Sequence, residues 1–219
     1  MLVRDGGMVK NQDVVMDVTG RALSILKAER TALNLIMRMS GIATETRKFI
    51  ESIGVYKDSV RIACTRKTAP GLRFFDKKAV SIGGGDTHRM ALDDMVLIKD
   101  NHLLFSESVE KSIKLARRNT GSSVRVECEA TTLDDVITAI NAGAEIIMLD
   151  NFSPPEVIRT IREITKKGIR NRAKLEISGG ITLQNVKSYA KSKPDIISIG
   201  HLTHSPEAVD FSLEMIQKI

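Results

Sequence analysis

Charged side chains stand at the ends of short apolar runs along this chain. Glu129 closes one run, Asp150 follows the next, and Lys99 follows an earlier one. Two carboxylates at neighbouring strand ends suit a Mg²⁺ ion that is held by carboxylates, substrate phosphates and water. They could also work as a general acid–base pair, or form a salt bridge with Lys99. In each case the pattern indicates a site for a charged substrate.

A second group of candidate residues is cationic and lies between residues 66 and 92. Arg66-Lys67 and His88-Arg89 adjoin glycine-rich turns in a segment that is long and charged for an ordinary connection. A guanidinium group binds a carboxylate through two parallel hydrogen bonds, and an ammonium group acts as a point charge. The set therefore predicts a functional loop that holds a planar dicarboxylate. The alternative is a solvated cationic surface.

Glycines follow the last two apolar runs. They occur in Ser178-Gly179-Gly180 and in the segment from Gly200 to His204. Backbone amides in such turns can close on a phosphate, and the N-termini of following helices would add positive potential. In (β/α) barrels the loops after the late strands commonly bind phosphate. We therefore expect a phosphate site here.

The elements that position these residues alternate along the chain. Six apolar runs are separated by amphipathic helical stretches, which is typical of a (β/α) barrel with its active site at the C-terminal ends of the strands. Within the third run, Arg125 and Glu127 share a face and are predicted to form a buried pair inside the barrel. The runs cover residues 61–64, 95–98, 124–129, 145–149, 174–178 and 195–199.

Other local patterns predict how the helices begin and end. Ser153-Pro154-Pro155-Glu156 is a capping box with proline at the first helical position, and Ser205-Pro206-Glu207 repeats part of it. Residues 1–18 are expected to form short strands and turns. The helical stretch over residues 19–53 is expected to break at Gly41. Its Arg30 alone would be taken for a solvated residue on the helix surface.

Composition narrows the class of protein. The 219 residues are 42% hydrophobic and 4% aromatic, with a net charge of +6. No basic stripe with interleaved aromatic residues is present, so nucleic-acid binding is not expected.

Cys64 and Cys128 lie in apolar runs, which favours a reducing compartment. The sequence lacks a signal-peptide pattern and a membrane-spanning run, which predicts a cytoplasmic protein. All four histidines fall in loops without metal-ligand spacing on a helix, so a zinc site is not expected.

Motifs spread along the whole chain resemble the quinolinate phosphoribosyltransferase family, also called nicotinate-nucleotide pyrophosphorylase (carboxylating). They occur in order and with compatible spacing. The matching segments are ERTALN from Glu29, SGIAT from Ser40, TRKT from Thr65 with Pro70-Gly71, Gly83-Gly84-Gly85 before His88-Arg89, LIKDNH from Leu97, IMLDNF from Ile147, EISGG from Glu176 and GHLTH from Gly200.

The resemblance implies an α/β fold: an open (β/α) barrel of the type II phosphoribosyltransferases over residues 54–219, preceded by a remnant of an N-terminal α/β domain over residues 1–53. Most of the family's N-terminal domain would then be missing from this chain. The implied enzyme is a pentosyltransferase of NAD biosynthesis. It would convert quinolinate and phosphoribosyl pyrophosphate to nicotinate mononucleotide, pyrophosphate and CO₂ with Mg²⁺.

The resemblance also implies roles for single residues. Glu129 and Asp150 would act on the ribose hydroxyls and Mg²⁺, and together with Lys99 they form the implied catalytic set. The quinolinate carboxylates and neighbouring phosphates would be held by Arg30, Arg66, Lys67, His88, Arg89 and Lys99. The 5′-phosphate would lie at Ser178, Gly179, Gly200 and His204. The implied assembly is a homodimer, with higher oligomers open, in which Arg30 reaches into the partner's site.

Other functions remain possible from the sequence alone. A nicotinate phosphoribosyltransferase or a molybdenum-associated pyrophosphorylase-like relative would use the same barrel. The pair Arg66-Lys67 and the segment from Ile98 to His102 favour quinolinate, because a second carboxylate needs extra cations. A different class is a non-catalytic scaffold or a nucleic-acid binder that depends on the positive net charge.

Overall fold

The computed structural model describes residues 1–103, 105–106, 108–121 and 123–216. The predicted strands all form, within one residue of the expected ends. They are β1 (Arg61–Cys64), β2 (Met95–Ile98), β3 (Arg125–Ala130), β4 (Ile146–Asp150), β5 (Lys174–Ser178) and β6 (Ile196–Ile199).

The six strands make one parallel sheet in the order β1-β6-β5-β4-β3-β2. Strands β1 and β2 lie at the two ends of this order and do not pair with each other, so the predicted open barrel is confirmed. A single parallel bridge joins Ala63 of β1 to Asp86. This bridge brings the backbone that leads to His88-Arg89 against the open edge of the sheet.

The helices surround the sheet. They are α1 (Ala22–Ser52), α2 (Arg73–Ile82), α3 (Asp100–Leu103), α4 (Val109–Thr120), α5 (Leu133–Ala142), α6 (Pro154–Lys166), α7 (Val186–Ala190) and α8 (His201–His204), with single 3-10 turns at Gly54–Tyr56 and Arg170–Arg172. Helix α6 starts with the predicted capping box between Ser153 and Glu156. Helix α2 occupies part of the segment that the sequence indicated as one long loop. None of the described helices combines the length and hydrophobicity of a membrane span.

Alternate residues of each strand point into the barrel and form three successive levels. The first residues of the strands lie around a cavity of about 140 Å³ at the N-terminal end, together with Asp86 and His88. Counted along each strand, the second inward-facing position is occupied by Glu127, Met148, Glu176 and Ser198, two residues after the first. The third level contains Lys99, Glu129, Asp150 and Ser178 at the C-terminal ends. The predicted catalytic residues therefore share one end of the barrel.

Helix α1 runs through Gly41 without a break, so the predicted break is wrong. Gly41 is needed for a close approach between two backbones. A Cβ atom at this position would collide with the carbonyl oxygen of Glu207, and the amide of Val209 donates to the carbonyl of Met37 at 3.1 Å. The glycine lets the chain after α8 cross the helix surface.

Two smaller expectations are also corrected. Ser205-Pro206-Glu207 does not begin a helix, because residues 206–216 have no regular secondary structure and cross α1 instead. Residues 1–18 contain turns but no regular strand. The amides of Leu2 and Val3 donate to the carbonyl of Val15 at 3.0 and 3.3 Å, which pairs two extended pieces only locally.

Candidate active site

Three charged residues meet at the C-terminal ends of β2, β3 and β4. The ammonium of Lys99 lies 3.8 Å from the carboxylate of Glu129, and Asp150 lies close enough to influence the same carboxylate. Burial raises the pKa of Glu129, Lys99 opposes this change, and Asp150 adds to it. The structure therefore brings together the three residues that the sequence placed in the catalytic set.

The carboxylate pair fits a divalent cation. Oε2 of Glu129 is buried and accepts no hydrogen bond within the described part of the chain. Asp150 is half-buried beside it, and its own carboxylate accepts a 2.6 Å hydrogen bond from the side-chain amide of Asn151. Lys99 lies 3.8 Å from this oxygen, but an oxygen that is removed from water without a hydrogen bond is costly, and Mg²⁺ prefers carboxylate oxygens. The donor set is thus suited to Mg²⁺.

A cluster of cations surrounds the end of β1. Arg66 and Arg89 repel each other, and Arg66 and Arg73 both repel Lys77. Burial lowers the pKa of Arg89 and that of Lys77, and the neighbouring cations lower both pKa values further, while Glu127 and Glu176 oppose the change at Arg89. The buried Nε of Arg66 finds no acceptor among the residues that the structure describes. An unsatisfied guanidinium donor among like charges calls for an anionic ligand.

Lys77 shows how far this positive charge extends below the surface. It is fully buried in α2, and its ammonium contacts the thiol of Cys64 and the carbonyl of Thr87. Its pKa is lowered chiefly by burial, while Cys64 opposes this change. The structure gives it no carboxylate within salt-bridge distance among the described residues. The cation cluster therefore includes a residue that lies beneath the loop.

His88 does not project from the rim as its place in a loop suggested. Its side chain is 10% exposed, and its Nε2 lies 2.7 Å from Glu176 and 3.5 Å from Glu127. Both carboxylates are buried inside the barrel. The predicted pair of Arg125 and Glu127 is wrong, because Arg125 is exposed at the N-terminal end and Glu127 faces His88 instead.

These three residues also have the composition of a metal site. Donor atoms of His88, Glu127 and Glu176 all lie within 4.8 Å of one another. The imidazole nitrogen that a metal would need is already engaged by Glu176 at 2.7 Å. Arg89 and Lys77 add positive charge nearby. An ion-paired imidazole fits this surrounding better than a metal ion does.

The two glycine-containing loops lie at the same end of the barrel as Glu129. Gly179 has a φ of +99°, and a Cβ atom there would collide with the side-chain amide of Asn151. A Cβ atom on Gly200 would lie 3.1 Å from the imidazole of His204 and 3.6 Å from Lys67. The backbone carbonyl of Ser178 accepts a hydrogen bond from the backbone amide of Asn151 at 2.9 Å. The loops are therefore close-packed and leave backbone near the surface.

One part of the phosphate prediction needs correction. Helix α7 begins only at Val186, so no helix N-terminus directly follows Gly179-Gly180, and α8 after Gly200 is a single turn. Positive potential from helix ends is thus small here. Lys67 is exposed, lies next to Gly200, and supplies a cation to this region instead.

Arg30 lies apart from the other predicted residues. It is exposed in the first half of α1, whereas the buried residues of this helix are Gly41, Ile42, Thr46 and Phe49 in its second half. Within one chain the structure does not bring Arg30 to the barrel site.

Several residues that support the site were missed by sequence reasoning. Arg38 of α1 binds Asp76 of α2 through two hydrogen bonds of 2.7 and 2.9 Å, and it also donates to the carbonyl of Thr203. Asp76 in turn accepts from the amide of Ala69 in the loop after β1. Thr203 donates to the carbonyl of Lys67 at 2.9 Å. This network fixes the Arg66-Lys67 loop. No local sequence motif indicates the network, because it depends on charged residues of two helices that become buried only in the folded chain.

Comparison with known families agrees with this geometry. Residues 42–214 match the model of the quinolinate phosphoribosyl transferase C-terminal domain, and residues 1–40 match that of its N-terminal domain. This chain belongs to the quinolinate phosphoribosyltransferase family. The two matched regions meet within α1, which crosses from one to the other.

Relatives with similar sequences extend over nearly the whole chain. A probable nicotinate-nucleotide pyrophosphorylase (carboxylating) of Archaeoglobus fulgidus is 45% identical over 98% of this chain and 82% of its own length. The nicotinate-nucleotide pyrophosphorylase (carboxylating) of Homo sapiens is 37% identical over 93% of this chain and 68% of its own length. The crystal structure of NadC from Streptococcus pyogenes superposes with a TM-score of 0.90, at 37% identity, over 97% of this chain and 72% of that one.

Proposed function

We propose that this family member is a carboxylating nicotinate-nucleotide pyrophosphorylase. It transfers the phosphoribosyl group of phosphoribosyl pyrophosphate to quinolinate, and it releases pyrophosphate, CO₂ and nicotinate mononucleotide. The observation that carries this proposal is the cation cluster of Arg66, Arg73, Lys77 and Arg89 with an unsatisfied guanidinium donor. Such an excess of positive charge matches a substrate with two carboxylates on one ring.

The barrel residues divide the reaction between them. The pyridine nitrogen forms a bond to the anomeric carbon while the bond from that carbon to pyrophosphate breaks. Positive charge then develops on the sugar, where Glu129 and Asp150 stabilise it. Arg66, His88 and Arg89 neutralise and orient the two carboxylates, so that the ring nitrogen faces the sugar. The pyridinium charge formed in this step draws electrons from the adjacent carboxylate as CO₂ leaves, and the ring carbon takes up a proton.

Glu129 and Asp150 would also hold Mg²⁺. Bound Mg²⁺ would neutralise charge on the pyrophosphate group. Lys99, which lies 3.8 Å from Glu129, is placed to add a further positive charge on the leaving-group side. Ser178, Gly179, Gly200, His204 and Lys67 would accommodate the 5′-phosphate.

Titration calorimetry with quinolinate, followed by an assay with phosphoribosyl pyrophosphate and Mg²⁺, tests the proposal. We expect quinolinate to bind and CO₂ to be released in step with nucleotide formation, since the cation cluster selects a dicarboxylate. Consumption of nicotinate without CO₂ release would instead establish a nicotinate phosphoribosyltransferase. Steeply salt-dependent binding of DNA or RNA, without affinity for quinolinate, would contradict an enzyme of either kind.

The proposal includes a homodimer with shared sites. The first half of α1 is exposed although it carries apolar residues, with Leu23 65% and Leu26 52% exposed. Apolar residues that repeat along one exposed helix indicate a contact surface. A second copy that covers this surface would bring Arg30, which is exposed on the same half of the helix, towards the site of its partner.

A subunit-mixing experiment tests this arrangement. Arg30→Ala and Glu129→Gln are each expected to be nearly inactive, because each removes one part of a composite site. If Arg30 acts across the interface, mixed dimers restore one intact site. Denaturing and refolding the two variants together should then recover up to about a quarter of wild-type activity. No recovery in a mixture that sedimentation shows to contain heterodimers would mean that Arg30 does not act in the partner's site.

A further inference from the structure

The buried glutamates inside the barrel form a second layer beneath the proposed substrate site. Glu127 and Glu176 belong to β3 and β5 and are 0% and 1% exposed. They lie one inward position below Glu129 and Ser178 along their strands. Neither belongs to the set that is proposed to touch sugar or phosphate. Their cost of burial needs an explanation, because a buried carboxylate is stable only when it is paired or protonated.

The partner of Glu176 is His88. The 2.7 Å contact from Nε2 to Glu176 is short for a hydrogen bond between a nitrogen and an oxygen, as expected when the bond is assisted by charge. Glu127 lies 3.5 Å from the same nitrogen. With Nε2 occupied in this way, Nδ1 is the ring nitrogen left to donate to a ligand. A neutral imidazole with its proton on Nε2 could only accept there, whereas an imidazolium donates from both nitrogens.

The backbone at His88 is held in an unusual conformation. Its φ is +53°, in the left-handed region that residues other than glycine rarely adopt. Its backbone amide donates to the carboxylate of Asp86 at 2.7 Å. Asp86 is in turn bridged to β1 and paired with Arg61 at 3.0 Å. A strained residue that is fixed from both its backbone and its side chain is typical of a functional site.

We propose that Glu176 is a positioning residue, which keeps His88 in its cationic form and orients its ring for a carboxylate of the substrate. The inference rests on the proposed function. Glu176 contacts His88 and acts through it, whereas burial and the charge of Glu176 raise the pKa of Glu127 to about 8, so that Glu127 is mostly protonated at neutral pH. The result is a fixed cation inside the barrel, one residue before Arg89 in the sequence.

The charges around His88 support this assignment. Burial alone would lower the pKa of His88, but the hydrogen bond to Glu176 and the charges of Glu176 and Glu127 outweigh burial and raise it, while Lys77 opposes them. The other charged groups near the ring are Asp86, Arg89, and the three basic residues around the cavity below, Arg61, Arg125 and Lys174. Removing the charge of Glu176 therefore removes the main stabiliser of the imidazolium.

The variant Glu176→Gln keeps the shape of the side chain and removes its charge. NMR titration of the free protein, with the His88 resonance assigned through His88→Gln, should show the pKa of His88 falling by about 1 to 3. Since the imidazolium is present below its pKa and lost above it, quinolinate binding should weaken at a lower pH than in the wild type. Near pH 8 we expect KM for quinolinate to rise about tenfold or more, with a smaller change in kcat.

Two further variants separate positioning from simple stability. Ser198→Ala changes a buried residue of the same level without touching His88, and it should leave the titration and the pH profile of KM unchanged. Adding Glu176→Gln to His88→Gln should cause little further loss of quinolinate binding, because Glu176 acts through His88.

An unchanged pKa of His88 in Glu176→Gln, or fully additive losses in the double variant, would overturn the proposal. A wild-type protein that does not bind quinolinate would refute the proposed function, whereas the titration of His88 would still test its coupling to Glu176.

Discussion

Glu129→Gln and Asp150→Asn are each expected to lower kcat by about 100- to 1,000-fold, with little change in the affinity for quinolinate. Both substitutions preserve shape and remove one negative charge. That charge stabilises the sugar as it becomes positive, so its loss affects the transition state more than the bound substrate. Steady-state kinetics with both substrates, combined with calorimetric titration of quinolinate, separates the two effects.

The matched control is Glu163→Gln. Glu163 lies on α6, and among the described residues its carboxylate pairs only with Lys166, three positions later, at 3.0 Å. Its loss should leave both kcat and quinolinate affinity unchanged. Near-normal turnover in both Glu129→Gln and Asp150→Asn would show that these two carboxylates are structural and that the sugar is stabilised elsewhere. A metal titration of each variant adds a second readout, because the Mg²⁺ requirement for half-maximal activity should rise if these carboxylates hold the ion.

The barrel and its catalytic end were predictable from the sequence. The strands are mostly apolar, as parallel strands buried on both faces tend to be, although β3 and β5 also carry Glu127 and Glu176. A charged residue stands at or next to the C-terminal end of β2, β3 and β4. This rule was sufficient to place Lys99, Glu129 and Asp150 together. It needs only the order of residues along the chain, because neighbouring parallel strands end at the same edge.

The inner support of the site was not predictable in the same way. Glu127 and Arg125 alternate on one strand face, and the sequence alone favoured pairing them. In the barrel they lie at different depths, so Arg125 reaches solvent and Glu127 faces His88. The contact between His88 and Glu176 joins residues 88 positions apart, and no local pattern encodes it. Gly41 shows the same limit, because its helix-breaking tendency is outweighed by packing against the segment after α8.

Arg66→Ala tests the cation cluster most directly. We expect it to weaken quinolinate binding by roughly 2–5 kcal/mol, the usual cost of removing one partner from a desolvated charged pair. Arg66 is half-buried, and its Nε has no acceptor within the described ranges. Removal of the side chain should therefore cost the unliganded protein little stability. The loss should therefore appear in the complex. Calorimetric titration at constant ionic strength measures it.

Comparison of ligands and variants then identifies which carboxylate Arg66 holds. If Arg66 and Lys67 bind the carboxylate next to the ring nitrogen, Arg66→Ala should weaken nicotinate binding less than quinolinate binding, since nicotinate lacks that group. Arg162→Ala is the matched control, because Arg162 is exposed on α6. Equal quinolinate affinity in Arg66→Ala and Arg162→Ala would remove Arg66 from the site. The unsatisfied guanidinium would then need another anion, and the 5′-phosphate held near Lys67 and Gly200 would be the one to test.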